Sequence, residues 1–170
     1  MNKSHKNLCF YRLMSNSVKK HSLFLIFVIM LFAGANAQNS LYLEVGGSGG
    51  LGSLNFERTF RNNSTTAFSW SAGFSMAPID KNNGTALVFP LMMHLMYGSS
   101  PHKLEFGIGQ GFSVTTKGNA FALGTLAIGY RHDNPNKFFY WRIAYTPLVS
   151  WLIDWQYQHW AGISIGIHLN

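Results

Sequence analysis

Between Lys103 and Thr115 the side chains alternate in character, residue by residue. Leu104, Phe106, Ile108, Phe112 and Val114 fall on one side. Lys103, Glu105, Gly107, Gly109, Gly111 and Ser113 fall on the other. A period of two places these sets on opposite faces of a β-strand, one apolar and one polar or small. Such a strand must hide one face from water and wet the other. Repeated along a chain that begins with an export signal, the pattern predicts an all-β fold, an antiparallel up-and-down transmembrane β-barrel of eight strands with lipid outside and a polar lumen inside. The same period fits a soluble barrel with its apolar face turned inward around a lipid.

Eight segments carry the alternation, each bounded by Gly, Asn, Ser or Pro clusters. They are Ser40–Gly46, Leu51–Phe60, Thr65–Met76, Thr85–Tyr97, Lys103–Thr115, Ala120–Arg131, Phe138 to about Val149, and Trp160–Leu169. Gly47-Ser48-Gly49-Gly50 turns the chain between the first two, although Leu41 to Phe60 also reads as one long bent strand, which would leave an odd count. The fourth segment is apolar on both faces and holds Pro90, which predicts a bulge. The second, fourth and sixth connections are short. The third, Pro78 to Gly84, and the seventh, Ser150 to His159, read as longer loops. Short turns on one side and longer loops on the other match the asymmetry of bacterial outer-membrane barrels.

Residues 1–37 read as a cleavable signal peptide. Lys3, Lys6, Arg12, Lys19 and Lys20 precede an apolar run from Leu23 to Phe32, and Ala35-Asn36-Ala37 offers a small-x-small site that leaves Gln38 as the new N-terminus. The apolar run falls short of the ~20 residues a spanning helix needs. Five of the thirteen basic residues and none of the six acids lie in this segment, so the formal charge of +7 falls to +2 for residues 38–170, the expected barrel domain. That removes the electrostatic case for a nucleic-acid partner. The single cysteine, Cys9, leaves with the signal, and stability must come from the closed sheet rather than from disulfides.

Several stretches resemble a family of small outer-membrane β-barrel proteins of Gram-negative bacteria. These are Leu41-Tyr42-Leu43-Glu44-Val45-Gly46-Gly47, Gly50-Leu51-Gly52-Ser53-Leu54-Asn55-Phe56-Glu57-Arg58, and Lys103-Leu104-Glu105-Phe106-Gly107-Ile108-Gly109. Gly129-Tyr130-Arg131, Phe139-Tyr140-Trp141-Arg142 with Thr146-Pro147-Leu148, and Trp160-Ala161-Gly162-Ile163-Ser164-Ile165-Gly166 complete the set. The resemblance spans nearly all of residues 38–170 and implies an outer-membrane barrel; most members of the family have no assigned activity. The closing His168-Leu169-Asn170 departs from the aromatic ending common among such barrels.

The polar faces carry Glu44, Glu57, Glu105, Arg131 and Arg142, with Lys103 near a rim. An eight-stranded barrel is filled by side chains, so these charges are expected to pair in a lumen network that holds the barrel's shape. Arg58 falls on the nominal lipid face near a strand end, where snorkelling accommodates it. Trp70, Trp141, Trp151, Trp155 and Trp160 are expected to form interface girdles, with a binding surface for lipopolysaccharide as the alternative for the last loop. His94, His102, His132, His159 and His168 have no spacing that predicts a metal site, and no cofactor is expected.

The favoured reading is an integral outer-membrane barrel, acting as a monomer, with a structural or surface-interaction role and no catalysis. Its expected partners are outer-membrane lipid, lipopolysaccharide and the barrel-assembly machinery. A lipid-A-modifying enzyme using Ser150, Asp154 and His159 in the last loop, and a soluble periplasmic lipid carrier, are the alternatives.

Overall fold

A computed structural model describes residues 37–61, 65–80, 84–134, 136–150 and 155–169. The predicted signal segment lies outside them apart from Ala37, as do Trp151 and Asp154. The described chain is almost entirely strand: β1 (Ala37–Gly46), β2 (Gly52–Arg61), β3 (Thr66–Asp80), β4 (Gly84–Tyr97), β5 (His102–Thr115), β6 (Ala120–His132), β7 (Phe139–Tyr145), β8 (Leu148–Ser150), β9 (Gln156–Gln158) and β10 (Ala161–Leu169).

Neighbours in sequence pair antiparallel from β1 through β7, and β10 lies between β7 and β1. The circuit therefore closes as an eight-stranded antiparallel barrel, with β8 and β9 forming a small hairpin above β7 and β10. Leu41 to Phe60 forms two strands, since Leu41 of β1 lies opposite Phe56 of β2. The chain entry at β1 and the end of β10 share one end with the β2–β3, β4–β5 and β6–β7 turns, here called the turn end. The opposite, loop end carries the other connections.

The two longer loops of the sequence reading carry strand in part of their described residues. β3 continues to Asp80 and β4 starts at Gly84, with a register shift between Pro78 and Asp80. In the last connection Leu148–Ser150 pairs with Gln156–Gln158. Polar residues can extend a hairpin past the apolar band, because strand pairing there is carried by the backbone ladder and needs no apolar face. No register shift occurs at Pro90. The β3–β4 ladder lapses at Gly73 and Phe74 and resumes at Ser75 opposite Val88 in the same register. Proline lacks the N–H a ladder needs, while the Phe74 and Phe89 rings, 5.6 Å apart, bridge the lapse on the outer face.

Side-chain polarity is inverted relative to a water-soluble protein. The inward face buries Glu57 and Arg131 at 0% exposure, together with Ser40, Asn55, Ser69 and Ser71. The outward face leaves Ile108 59% and Ile165 52% exposed. Along β5 the outward apolar side chains run from Leu104 to Val114. Ten residue steps at ~3.3 Å, tilted by ~40°, give an apolar band about 25 Å tall.

Two glycines shape the interior. At Gly166 a Cβ would overlap the Tyr140 ring, so the missing side chain on β10 makes room for a large one on β7. The Gly46–Gly50 turn folds inward instead of projecting into solvent. Gly47 adopts φ 76°, a Cβ there would overlap the Glu44 carboxylate, and Gly47–Gly49 forms a buried single 3-10 turn packed against β4, β5 and β10. The Gly46 amide closes the turn on the Leu51 carbonyl at 3.0 Å.

Gly166→Leu is expected to lower stability by about 1–3 kcal/mol through overpacking against Tyr140. Urea titration of the protein folded in lipid vesicles measures it, and the paired Tyr140→Ala change is expected to recover part of the loss.

Candidate functional site

The middle of the lumen is a connected set of charges. Arg131 of β6 grips Glu57 of β2 with both guanidinium arms, Nη1 to Oε1 at 2.9 Å and Nη2 to Oε2 at 2.7 Å. Its Nη1 also reaches Glu105 of β5 at 3.4 Å. Arg142 of β7 donates to the other oxygen of Glu105 at 2.8 Å, to Glu44 of β1 at 3.0 Å and to the Ser164 hydroxyl at 2.9 Å. The five residues singled out from the sequence thus form one chain, Glu57–Arg131–Glu105–Arg142–Glu44, running across the barrel. Two-armed guanidinium–carboxylate pairing is the strongest ionic contact side chains make, and here it is also buried.

Aromatic and hydroxyl groups complete the set. Tyr140 lies beneath Arg131, ring centroid 4.2 Å from Cζ, and Tyr42 holds the same relation to Arg142 at 4.3 Å. Tyr140 donates to Glu57 at 3.1 Å and Ser69 donates to it at 2.6 Å. His94 sits between Glu105, 2.9 Å from Nδ1, and the Ser71 hydroxyl, 3.2 Å from Nε2. At the upper edge, the Ser48 amide and hydroxyl of the inward turn both donate to Glu44, at 3.1 and 3.0 Å.

A second focus lies at the turn end, where sequence reasoning assigned nothing but a turn. Asp133 accepts from Lys103 Nζ at 3.0 Å, meets His168 Nε2 at 3.0 Å, and lies 3.5 Å from Arg131 Nε and 3.8 Å from Arg61 Nη2. His168 is held in turn by the Ser40 hydroxyl at 2.9 Å and stacks on Tyr140. Burial opposes ionisation of Asp133. The His168 hydrogen bond and the charges of Arg131 and Lys103 outweigh it and hold the carboxyl well below the usual range. A signal for this residue existed: Asp133 continues the inward parity of Arg131, two positions on. His94 and His168 likewise share the parity of Met92 and Met96, and of Ser164 and Gly166.

The predicted girdle residues divide between the two ends. Trp70 packs 5.8 Å from Phe56. Trp141 stacks on His132 and meets Tyr130, both toward the turn end. Trp155 and Trp160 flank β9 at the loop end, with Trp155 78% exposed. Arg58 lies outward with its guanidinium 5.7 Å from the Phe60 ring centroid. His102 and His132 face each other across β5 and β6 on the outer surface. The His159 ring bonds the Tyr145 hydroxyl at 2.6 Å and meets Tyr157 edge-on. Ser150 lies in β8 opposite Gln156, and Asp154, the third residue of the enzyme reading, is outside the described residues. Among the described residues, no group of three or more His, Cys, Asp or Glu side chains is placed to hold a metal. Gln38, at the expected cleavage point, pairs with Thr59 and accepts from Arg61 at 2.7 Å, while Ala37 opens β1 opposite Phe60.

Closed circuit, antiparallel order and a charged core inside an apolar shell define a small up-and-down β-barrel of eight strands. No protein-family model matches the chain, and no curated protein matches it. Among solved structures, the barrel is similar to the N-terminal β-barrel domain of Pseudomonas aeruginosa OprF. The TM-score is 0.53 and the identity 9%, over 78% of this chain and 96% of that one. At that identity the likeness is one of fold.

Arg131→Met is expected to cost about 3–5 kcal/mol, because it leaves Glu57 buried without its cation. Arg131→Met combined with Glu57→Gln is expected to cost less than the two changes summed, and a double-mutant cycle in urea reads the coupling. The depressed Asp133 contributes stability that is complete above the ordinary carboxyl value of ~3.9 and fades as pH falls below it toward the folded value. The gap in urea midpoint between the parent and Asp133→Asn should therefore be constant near neutrality and narrow as pH drops from about 4 to 2.

Proposed function

We propose that the protein is an integral outer-membrane β-barrel whose role is structural and surface-directed rather than catalytic. The inversion of polarity carries this reading. Buried Glu57, Arg131, Glu105 and Arg142 lie inside, and a band of mainly apolar side chains, interrupted at Gln110 and Arg58, covers the outside. In water that band would expose far more apolar surface than a soluble monomer tolerates. In hydrocarbon it is the required solvent face, and ring closure leaves no strand edge unpaired. The ~25 Å height of the band matches that of outer-membrane barrels. The N-terminal segment that reads as an export signal supports the same location, and the barrel has the fold of the OprF domain.

The network in the lumen serves this role by locking strands β1, β2, β5, β6 and β7 to one another across the interior. The aromatic residues at the two ends suit the headgroup regions. Tyr145, Tyr157 and His159 at the loop end offer hydroxyl and ring nitrogen groups to lipid or lipopolysaccharide headgroups.

The test is physical. The protein should remain in membranes washed with alkaline carbonate, and unboiled samples folded in lipid should run as a compact, protease-resistant band that shifts on boiling. Release by carbonate, or solubility without detergent, would overturn the proposal and favour a soluble carrier. Ile108→Arg, at mid-height of the band, is expected to cost about 2–4 kcal/mol in lipid.

A further inference from the structure

Toward the loop end the inward face changes character. Below the Ser48 turn it carries carboxylates, guanidinium groups and hydroxyls. Above it, the inward positions include Ala77, Ala86, Val88, Phe121, Leu123 and Leu148, drawn from four strands. They surround a cavity of about 430 Å³. Its floor is the Gly47–Gly50 turn, with Ser48 and Gly49 themselves buried. Its polar side chains are Ser48, Ser113 and Gln158, all neutral, and among the described residues no charged side chain lines it.

This zone is anomalous by the logic of the rest of the lumen. Val88, Phe121, Leu123 and Leu148 point inward yet stay only partly covered, whereas the polar residues beneath are packed to nearly zero exposure. Apolar side chains around a water-filled mouth contribute nothing to lumen packing and lose the free energy their burial would supply, ~25 cal/mol per Å². The volume falls within the ~300–1,000 Å³ typical of small-molecule sites, and apolar walls with a few neutral polar groups are the usual lining of such sites.

We infer that the loop end of the barrel is a binding cup for a neutral, mainly aliphatic small molecule. The chain of the ligand lies against Val88, Leu123 and Leu148, and its polar end meets Gln158 or Ser113. An ionised head gains no partner from the lining and loses hydration on entry. The floor stops the ligand at the level of Ser48, so the cup binds and does not conduct. Gly111 sets its free width. A Cβ there would make only ordinary contacts, 3.6 Å to Val88 Cγ1 and 3.8 Å to the Ser48 carbonyl, so a larger side chain would grow into the open space.

The experiment uses the protein folded in lipid nanodiscs with labelled Val and Leu methyls, titrated with 1-decanol and observed by NMR. Saturable shifts are expected at Val88, Leu123 and Leu148. Leu91 and Leu126 on the outer face should drift only linearly, as decanol partitions into lipid. Gly111→Phe is expected to weaken binding at least tenfold with an unchanged urea midpoint, and Leu123→Gln provides the same test should the first variant fail to fold. Decanoate at neutral pH should bind at least tenfold more weakly than decanol. Linear drift alone at the inward methyls, undiminished binding in the variants, or equal binding of decanoate would overturn the inference. So would nuclear Overhauser contacts from Val88 and Leu123 to residues 151–154 without decanol, which would show the cup filled by the chain itself. None of these outcomes depends on which membrane houses the barrel.

Discussion

The grip of Arg131 on Glu57 is the interaction on which the interior depends. Two strands far apart in sequence, β2 and β6, face each other across the lumen, and this ion pair joins them with two parallel hydrogen bonds. A barrel wall is held by its ladders, but ladders do not decide what fills the centre. In a water-soluble core, apolar packing does. Here the apolar side chains face outward, and the centre is filled by charged and hydroxyl groups. Once charges are placed there, each must find its complement, because an unpaired buried charge costs several kcal/mol. Glu57, Glu105, Glu44 and Asp133 face Arg131, Arg142, Lys103 and Arg61, four carboxylates against four cations.

The consequences spread outward from that pairing. Tyr42 and Tyr140 are inward and large because a guanidinium needs a flat surface as well as oxygen partners. Gly166 is small because Tyr140 is large. The first loop turns inward because Glu44, having given one oxygen to Arg142, offers the other to the Ser48 amide and hydroxyl. What reads locally as a flexible glycine run becomes the ceiling of the ionic layer and the floor of the apolar cup.

Much of this was legible in the chain. The period of two in Lys103–Thr115 identifies the inward and outward sets of β5 residue by residue, and the same pattern gave eight staves and the charged inward residues. Three things were not legible, each for a physical reason. Pro78–Gly84 was read as loop because polarity was taken to mean irregular backbone. Beyond the apolar band a hairpin needs no apolar face, so strand and loop look alike there. Pro90 pointed to a bulge, but a single missing N–H is absorbed by a local lapse in one ladder while the other ladder keeps its register. Asp133 falls past the predicted end of the sixth strand at Arg131, because Asp-Asn-Pro-Asn is strong turn chemistry. Its inward aim follows from the parity of Arg131, which matters only once the strand is known to run to the last residue before the turn.

The uneven lengths of the strands have a mechanical meaning. β5 meets β6 from His102–His132 up to Val114–Ala120, whereas β6 meets β7 only between Ile128–Tyr145 and His132–Trp141. Above that stretch the wall passes Thr146 and Pro147, where a single 3.4 Å bond from Leu126 to the Pro147 carbonyl precedes the brief pairing with β8. Stress on the cylinder, from lateral pressure or from a pull on the last loop, concentrates on the least-stitched join. The barrel is thus most firmly stitched from β2 to β6, and its weaker lines of parting flank β7, one of them between β6 and β7. Local opening along that line breaks fewer hydrogen bonds than opening anywhere between β2 and β6.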